Sequence, residues 1–347
     1  MWPSATNPAD SRPSRMPELA RTRARLEQGL GDNLWTGYSL AVRKKNRLLG
    51  LAGGDVSDIN LSVPWFSAGK PVTAAGVLRV LERLPRLWPE PLSATFPDLA
   101  GTHAGTLTLE KILTHQTGLR IPEKNIPNDP AAAWEYFRRI TPADAGLSQE
   151  QAAYDPAGGW WLLGQWLQRH TDRPWQEFLE QDLLAPAGIA GLKFRPPAVP
   201  IRERRAGKWL VGEPGVGPGA GLSGPAPDLV LFYEKLLHER LLAPSSLQAM
   251  RRAARTGKAD ATFGHMVDFG LGVILNSNRY GADTVPYGFG TQAGAGAFGH
   301  GGARSSIAFA DPEAGFTAAV FLNGRVPETE HQPRMRILLD LLRSELA

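Results

Sequence analysis

Leu19, Leu26 and Leu30 recur among charged residues at a helical spacing, which predicts an amphipathic helix over Pro17–Leu30 ended by Gly29 or Gly31. Two short apolar runs follow, Tyr38–Val42 and Leu48–Ala52, parted by Arg43-Lys44-Lys45, and they predict a β-hairpin with a solvated basic turn. Val72, Ala75, Leu78, Val80, Leu81 and Leu84 then give Ser67–Leu84 a broad apolar helical face. Pro71 fits that helix only in its first turn, where a missing N–H matters least, so Ser67 falls at the helix start. Further helices are expected at Leu109–Thr114, Ala131–Arg139, Trp160–His170, Trp175–Leu184 and Asp228–His238. Strands are expected at Gly270–Leu275, Ser305–Ala310 and Phe316–Leu322, and an amphipathic helix at Met335–Leu346.

Strands thus sit toward both ends of the chain and a helical block lies between them. The simplest α/β architecture is a sheet built from residues 16–84 and 215–347, flanked by the terminal helices. A helical domain, 85–214, is inserted into it. Residues 1–15, rich in Pro, Ser and Asp, read as a disordered lead-in.

With 347 residues, 42% of them hydrophobic and 21% charged, the chain can bury a substantial core. It has no cysteine, which excludes disulfides, thiolate nucleophiles and cysteine-ligated metals. The net charge of +4 comes from scattered Lys and Arg, with no basic run longer than Arg43-Lys44-Lys45, so no nucleic-acid partner is expected. No apolar run approaches the ~20 residues of a membrane span, and the lead-in lacks the charged start and apolar core of a secretory signal. A cytoplasmic protein without a membrane partner is expected. His103, His170, His238, His265 and His331 show no metal-ligand spacing, and neither a metal nor another cofactor is expected. Gly219-Ala220-Gly221-Leu222-Ser223-Gly224 matches a dinucleotide-binding glycine pattern in form only. No strand precedes it, and Pro225 and Pro227 follow it. There is no G-x-S-x-G nucleophile elbow.

Ser67-Ala68-Gly69-Lys70 is the only S-x-x-K in the chain. Residues three apart share a helix face, so the Ser67 hydroxyl and the Lys70 amine can meet. A serine is a weak nucleophile until a base takes its proton, and a lysine can be that base when burial lowers its pKa. Tyr154, in Ala153-Tyr154-Asp155-Pro156, and the Gly299-His300-Gly301-Gly302 segment are the companions of this pair.

Taken in order, these segments resemble the family of class C β-lactamases, DD-peptidases and related esterases. That family carries S-x-x-K on a helix, Y-x-N on a loop and K-T-G or H-x-G on an edge strand. Leu113-Thr114-His115-Gln116-Thr117-Gly118-Leu119, Gly221-Leu222-Ser223 with Asp228-Leu229, Phe269-Gly270-Leu271-Gly272 and Ala310-Asp311-Pro312 are similar to it as well. The resemblance covers about residues 17 to 345. It implies a β-lactamase-like fold and an acyl-enzyme on Ser67, with Lys70 and Tyr154 handling the proton. It also implies an oxyanion hole from the backbone N–H groups of Ser67 and Ala303. His300, Gly301, Gly302, Asp155 and Trp160 are the residues expected to meet substrate, and His115 to fix a loop. Pocket walls are expected from Pro122–Asn128, Pro196–Gly217 and Asn276–Ala297.

Two departures bear on the substrate. Pro156 stands where the family has Asn, and His300 where it has Lys, so groups that hold a β-lactam are missing. An esterase, an amidase or a transacylase working on a small-molecule acyl donor and acceptor fits better than a β-lactamase. That reading has two branches: water as the acceptor, or an amine or alcohol, as in biosynthetic transacylation or peptide cyclisation. A non-catalytic binding module would not need Ser67, Lys70 and Tyr154 together.

Overall fold

The computed structural model describes residues 19–238 and 240–347. The expected lead-in and the first two residues of the expected first helix lie outside the described residues. Helix α1 spans Ala20–Gly31. Strands β1 (Gly37–Lys44) and β2 (Arg47–Gly54) form the expected hairpin. Its two-residue turn, Lys45 and Asn46, has φ of 50° and 62°. Both positive values are those of a type I′ turn, whose twist matches that of the strands.

After β3 (Val63–Pro64), a tight 3₁₀ turn over Phe66–Gly69 leads into α2, Lys70–Leu81. The helix is shorter than expected, because Ser67 sits in the 3₁₀ turn and Pro85 opens a new turn beyond Leu81. Pro71 lies in the first turn of α2, as its geometry demands. Helices at Leu109–Leu113, Pro130–Arg139 and Gly158–Thr171 form where they are expected. Trp175–Leu184 differs in winding: past Glu177 it is π-helical. Its buried Phe178, Leu179, Leu183 and Leu184 recur at five, and a wider turn keeps them on one face.

The stretch expected to be mostly helix and loop also holds β4 (Lys193–Phe194) and a hairpin of β5 (Arg202–Arg205) and β6 (Lys208–Val211). Strand β7 (Leu222–Gly224) joins β3 and β4 in a small sheet. The Ala226–Leu237 helix follows, then the short hairpin of β8 (Ala259–Asp260) and β9 (His265–Met266). Strand β10 is only Ile274–Leu275, because Gly270–Gly272 turns, with Gly272 at φ 73°. The last strands are β11 (Phe298–Gly302), β12 (Ser306–Asp311) and β13 (Phe316–Asn323).

The six-stranded antiparallel sheet runs β10-β11-β12-β13-β1-β2, so the two ends of the chain complete one sheet. Alternation divides its faces. Leu40, Val42, Val320 and Leu322 face a core shared with Leu26 of α1 and with Leu338 and Leu342 of the last helix. Ala41, Ala319 and Phe321 face the larger core that holds α2, the middle helices and Phe232. The last helix is longer than expected, Glu328–Leu346, and contains Pro333. That proline forfeits one backbone bond. The turns around it are held from outside, since the Tyr287 N–H donates to Gln332 (2.8 Å) and the Tyr287 hydroxyl to Glu328 (2.5 Å).

Candidate active site

The chain reaches Ser67 through a strained turn. Phe66 has φ 51°, a region a bulky residue rarely adopts, and it reverses the backbone just before the serine. Neighbours hold it there: the Trp65 N–H donates to Leu222 O (3.0 Å), and Trp65 O accepts from the Ser306 hydroxyl (2.8 Å). Three further non-glycine residues with positive φ ring the same site, His115, Tyr287 and Arg304.

Lys70 is fully buried, and its Nζ lies 3.1 Å from Ser67 Oγ. Two carbonyls flank that amine, Pro156 O at 2.7 Å and Gly219 O at 2.8 Å. In its neutral form the amine has two N–H donors and one lone pair. The carbonyls take the donors, and the lone pair is left facing Ser67. Burial lowers the Lys70 pKa to about 7, while Asp155 and Glu123 pull it back up. Pro156 therefore keeps contact with the lysine through its backbone, although it has no side-chain amide. Gly219 is glycine by necessity, since a Cβ there would lie 2.8 Å from Trp160 and 3.1 Å from Lys70 Nζ.

Tyr154 donates its hydroxyl to Ser67 Oγ at 2.7 Å. Burial first, then nearby carboxylates including Asp155 and Asp260, hold its pKa well above the ordinary value, against the pull of the Ser67 bond. At neutral pH it is a phenol. Ser67 Oγ is thus touched at once by a proton donor and by an amine that can be a base.

Strand β11 closes the other side. Strand β10 pairs only with its Phe298 and Gly299, so the edge from His300 onward is left uncovered by β10. Gly302 comes so close to the turn that carries Ser67 that a Cβ would lie 2.2 Å from Trp65 O and 3.1 Å from Ala68 N. This contact brings the backbone of Ala303 beside Ser67. Neither the Ser67 nor the Ala303 N–H donates to a backbone carbonyl among the described residues. Two free donors beside a nucleophile can receive the oxygen of an attacked carbonyl.

His300 is buried, and burial with the nearby Lys70 lowers its pKa to about 3, so the ring is neutral. Its Nδ1 donates to Gly301 O (2.6 Å), which leaves Nε2 as an acceptor without a partner. A cleft of about 770 Å³ opens onto Ser67, Tyr154, His300, Gly301 and Ala303.

Three expected substrate contacts, Asp155, Trp160 and Gly302, are not in this cleft. Asp155 turns inward, where its carboxylate accepts from the N–H groups of Ile121, Gly158 and Gly159 (2.8, 3.2 and 2.6 Å) and fastens the start of the Gly158–Thr171 helix. Trp160 is buried beneath Lys70, with Nζ 4.9 Å from its ring, and Trp161 packs on Phe137. Gly302 spaces the backbone and does not line the cleft. His115 fixes a loop: its Nδ1 accepts from Asp155 N (3.0 Å), and its ring packs on Tyr154 at 4.6 Å.

The walls also differ from expectation. Of the three loops expected, only the third contributes, through Asp283, Thr284, Pro286 and Tyr287. Pro122–Asn128 and Pro196–Gly217 do not. Thr262 and Phe263 form one side and Glu328–Arg336 of the last helix another. No spacing rule pointed to these residues, nor to Gly219. Among the described residues, no three His, Asp or Glu side chains converge where a cation could sit.

Solved structures share this fold. A penicillin-binding protein homolog from Caulobacter crescentus superposes with a TM-score of 0.76 at 22% identity, over 94% of this chain and 97% of the other. EstCE1, described as a hydrolase with promiscuous acyltransferase activity, gives 0.76 at 17%, over 93% and 98%. A D-amino acid amidase from Ochrobactrum anthropi gives 0.73 at 18%, over 95% and 100%. At these identities the likeness shows a shared fold. No curated protein gives a significant match. A family model described as Beta-lactamase matches residues 23–342, nearly the whole chain, and the chain therefore belongs to the beta-lactamase family of serine hydrolases and acyltransferases.

Proposed function

We propose that the chain transfers acyl groups through an acyl-enzyme on Ser67, taking them from a small ester, thioester or amide and passing them to water or to an amine or alcohol. The observation that carries this reading is the double contact on Ser67 Oγ, from Lys70 Nζ at 3.1 Å and from the Tyr154 hydroxyl at 2.7 Å, at the floor of an open cleft. Neutral Lys70 takes the Ser67 proton as Oγ attacks the carbonyl. The N–H groups of Ser67 and Ala303 receive the oxyanion. Tyr154 gives its proton to the leaving group and recovers one from Lys70. In the second step the acceptor's proton passes through Tyr154 to Lys70, and Lys70 returns it to Ser67 Oγ as the acyl bond breaks. His300 lines the cleft beside the reacting groups.

Transfer to an acceptor other than water has its own support. Phe263, Pro286, Tyr287 and Pro333 give the cleft an apolar lining, and about 770 Å³ is room for a donor and an acceptor side by side. EstCE1 and the simvastatin synthase of Aspergillus terreus share the fold. A cytoplasmic setting is part of the proposal. No described helix is long and apolar enough to cross a membrane, which is compatible with it.

Intact-mass analysis tests the reading. The protein is incubated with esters, thioesters and amides, with and without amines. A mass increase equal to the acyl group, mapped to Ser67 and absent in Ser67→Ala, is the expected result. Residual turnover in Ser67→Ala within about tenfold of the parent, only ~1.4 kcal/mol of barrier, would show that the nucleophile lies elsewhere.

A further inference from the structure

Tyr154 sits on a loop, yet the reaction needs its hydroxyl held within a fraction of an ångström. Asp155 and Ala153 fasten its own loop on either side. The bonds to the backbone of Tyr154 itself come from a distant part of the chain, the segment from Arg255 to Phe263. Asp260 is buried, and its Oδ1 accepts from three backbone N–H groups: Tyr154 (3.0 Å), Thr262 (2.9 Å) and Phe263 (3.0 Å). The hydroxyl of Thr262 donates to Tyr154 O at 2.8 Å, so both backbone groups of the tyrosine are bonded to this one segment. The Phe263 ring stacks on the Tyr154 ring at 4.9 Å, and His115 packs on the same ring at 4.6 Å.

Behind Asp260 lies an ion pair with no solvent contact. Arg255 Nη2 is 2.9 Å from Asp260 Oδ2, and both side chains are fully buried. Arg255 also donates to His115 O and Val267 O (3.2 Å each), and its guanidinium lies 4.2 Å from the Phe269 ring. His115 O accepts from Ala153 N too, one residue before Tyr154. The pair therefore grips the Tyr154 loop at two places. A buried pair of this kind is a poor source of stability compared with apolar packing. Its bonds converge on one residue, and that residue touches the nucleophile.

We propose that the Arg255–Asp260 pair, with Thr262 and Phe263, forms a clamp that positions Tyr154 for proton delivery to the leaving group. Arg255, Asp260 and Thr262 are positioning residues that act through Tyr154. Thr262 and Phe263 also line the cleft, so substrate rests on the same segment that holds the proton donor. The proposal rests on the reading of Tyr154 as proton carrier.

The test uses two esters of one acid, a nitrophenyl ester whose leaving group needs no proton and an alkyl ester whose leaving group does. Acylation rates and melting temperature are measured for the parent, Asp260→Asn, Thr262→Val and Tyr154→Phe, and for both clamp variants combined with Tyr154→Phe. Asp260→Asn keeps the shape and one acceptor oxygen, and Thr262→Val removes a single donor without touching the ion pair, so one of the two folds even if the other does not. The expected result is a loss of ~10-fold or more on the alkyl ester, below the ~10²–10⁴-fold worth of the proton donor itself, with the nitrophenyl ester slowed less than threefold in Asp260→Asn and, in Thr262→Val, slowed at least threefold less than the alkyl ester. In the Tyr154→Phe background the clamp variants should add less than twofold. Equal losses on both esters, or an undiminished loss in the Tyr154→Phe background, would reduce the clamp to ordinary structure. If Tyr154→Phe alone shows no leaving-group dependence, the proton-carrier reading fails, and the clamp's role fails with it.

Discussion

Lys70→Met should separate the work of the buried amine from its cost to the fold. Burial lowers Lys70 from an ordinary 10.5 to about 7. Between those values the unfolded chain holds a proton that the folded protein does not, so parent stability rises with pH across that window. Below pH 7 the whole penalty is present, and above 10.5 it is gone. The drop from 10.5 to about 7 corresponds to ~4–5 kcal/mol at ~1.4 kcal/mol per pH unit. Methionine has no such penalty. It leaves Pro156 O and Gly219 O without their donor, at ~1–3 kcal/mol each, but that loss is the same at every pH. The stability difference between parent and variant should therefore move by ~3–4 kcal/mol in the parent's favour from pH 7 to pH 10. Urea denaturation of both proteins at the two pH values measures it. With slopes of ~1–3 kcal/mol per molar, the midpoint gap should change by ~1 M or more. The chain has no cysteine, so alkaline thiol chemistry cannot confuse the result. The variant should not acylate at any pH, and parent acylation should rise with pH through about 7 as the amine becomes free to act as base. Parallel stability profiles would refute the buried-amine argument, because they would mean that Lys70 titrates alike in the folded and unfolded chains.

Tyr154→Phe should cut acyl transfer by ~10²–10⁴-fold while hardly moving the melting temperature, since the lost hydroxyl bonds only Ser67 and the ring keeps its stacking on Phe263. Gly302→Ala should impair both activity and fold. Its Cβ would fall 2.2 Å from Trp65 O and 2.3 Å from Ser306 Oγ, and denaturation should show a loss of ~1–3 kcal/mol. Penicillins should turn over far below the ~10 s⁻¹ of a typical enzyme, because Pro156 and His300 replace groups that hold a β-lactam, and a penicillin hydrolysis assay near that rate would overturn this.

Much of the fold was legible because its long elements have clear periods. The β1–β2 hairpin, β13, α1, α2 and the Gly158–Thr171 helix fall where alternation or helical spacing puts them. Short elements were not legible: β4, β5 and β6 span two to four residues, too few for a period to register. The last helix begins seven residues before its expected start at Met335, and the contacts of Gln332 and Glu328 with Tyr287, which brace the turns around Pro333, leave no spacing to read. At the site, Ser67, Lys70 and Tyr154 are joined by ordered motifs, and they meet. Asp155 and Trp160 are beside those motifs in the chain but point inward, because adjacency in sequence carries no information about which way a buried side chain turns. Arg255, Asp260 and Gly219 act through backbone groups of other segments, and such pairings leave no spacing to read.

Ser67, Lys70, Tyr154 and the carbonyls that bond the lysine come from residues 67–70, 154–156 and 219, with 300–303 beside them, whereas most of the cleft wall comes from 262–263, 283–287 and 328–336. Apart from 262–263, which meet both Tyr154 and the cleft, the segments that set chemistry and those that set fit are largely separable in inheritance. Positions on the exposed face of the last helix, such as Thr329 and Pro333, can drift or be selected without disturbing the proton path. A laboratory library confined to Thr284, Pro286, Thr329, Gln332, Pro333 and Arg336 should change substrate preference while most members keep a working nucleophile. Descendants of one ancestral enzyme could in this way have come to serve unrelated substrates.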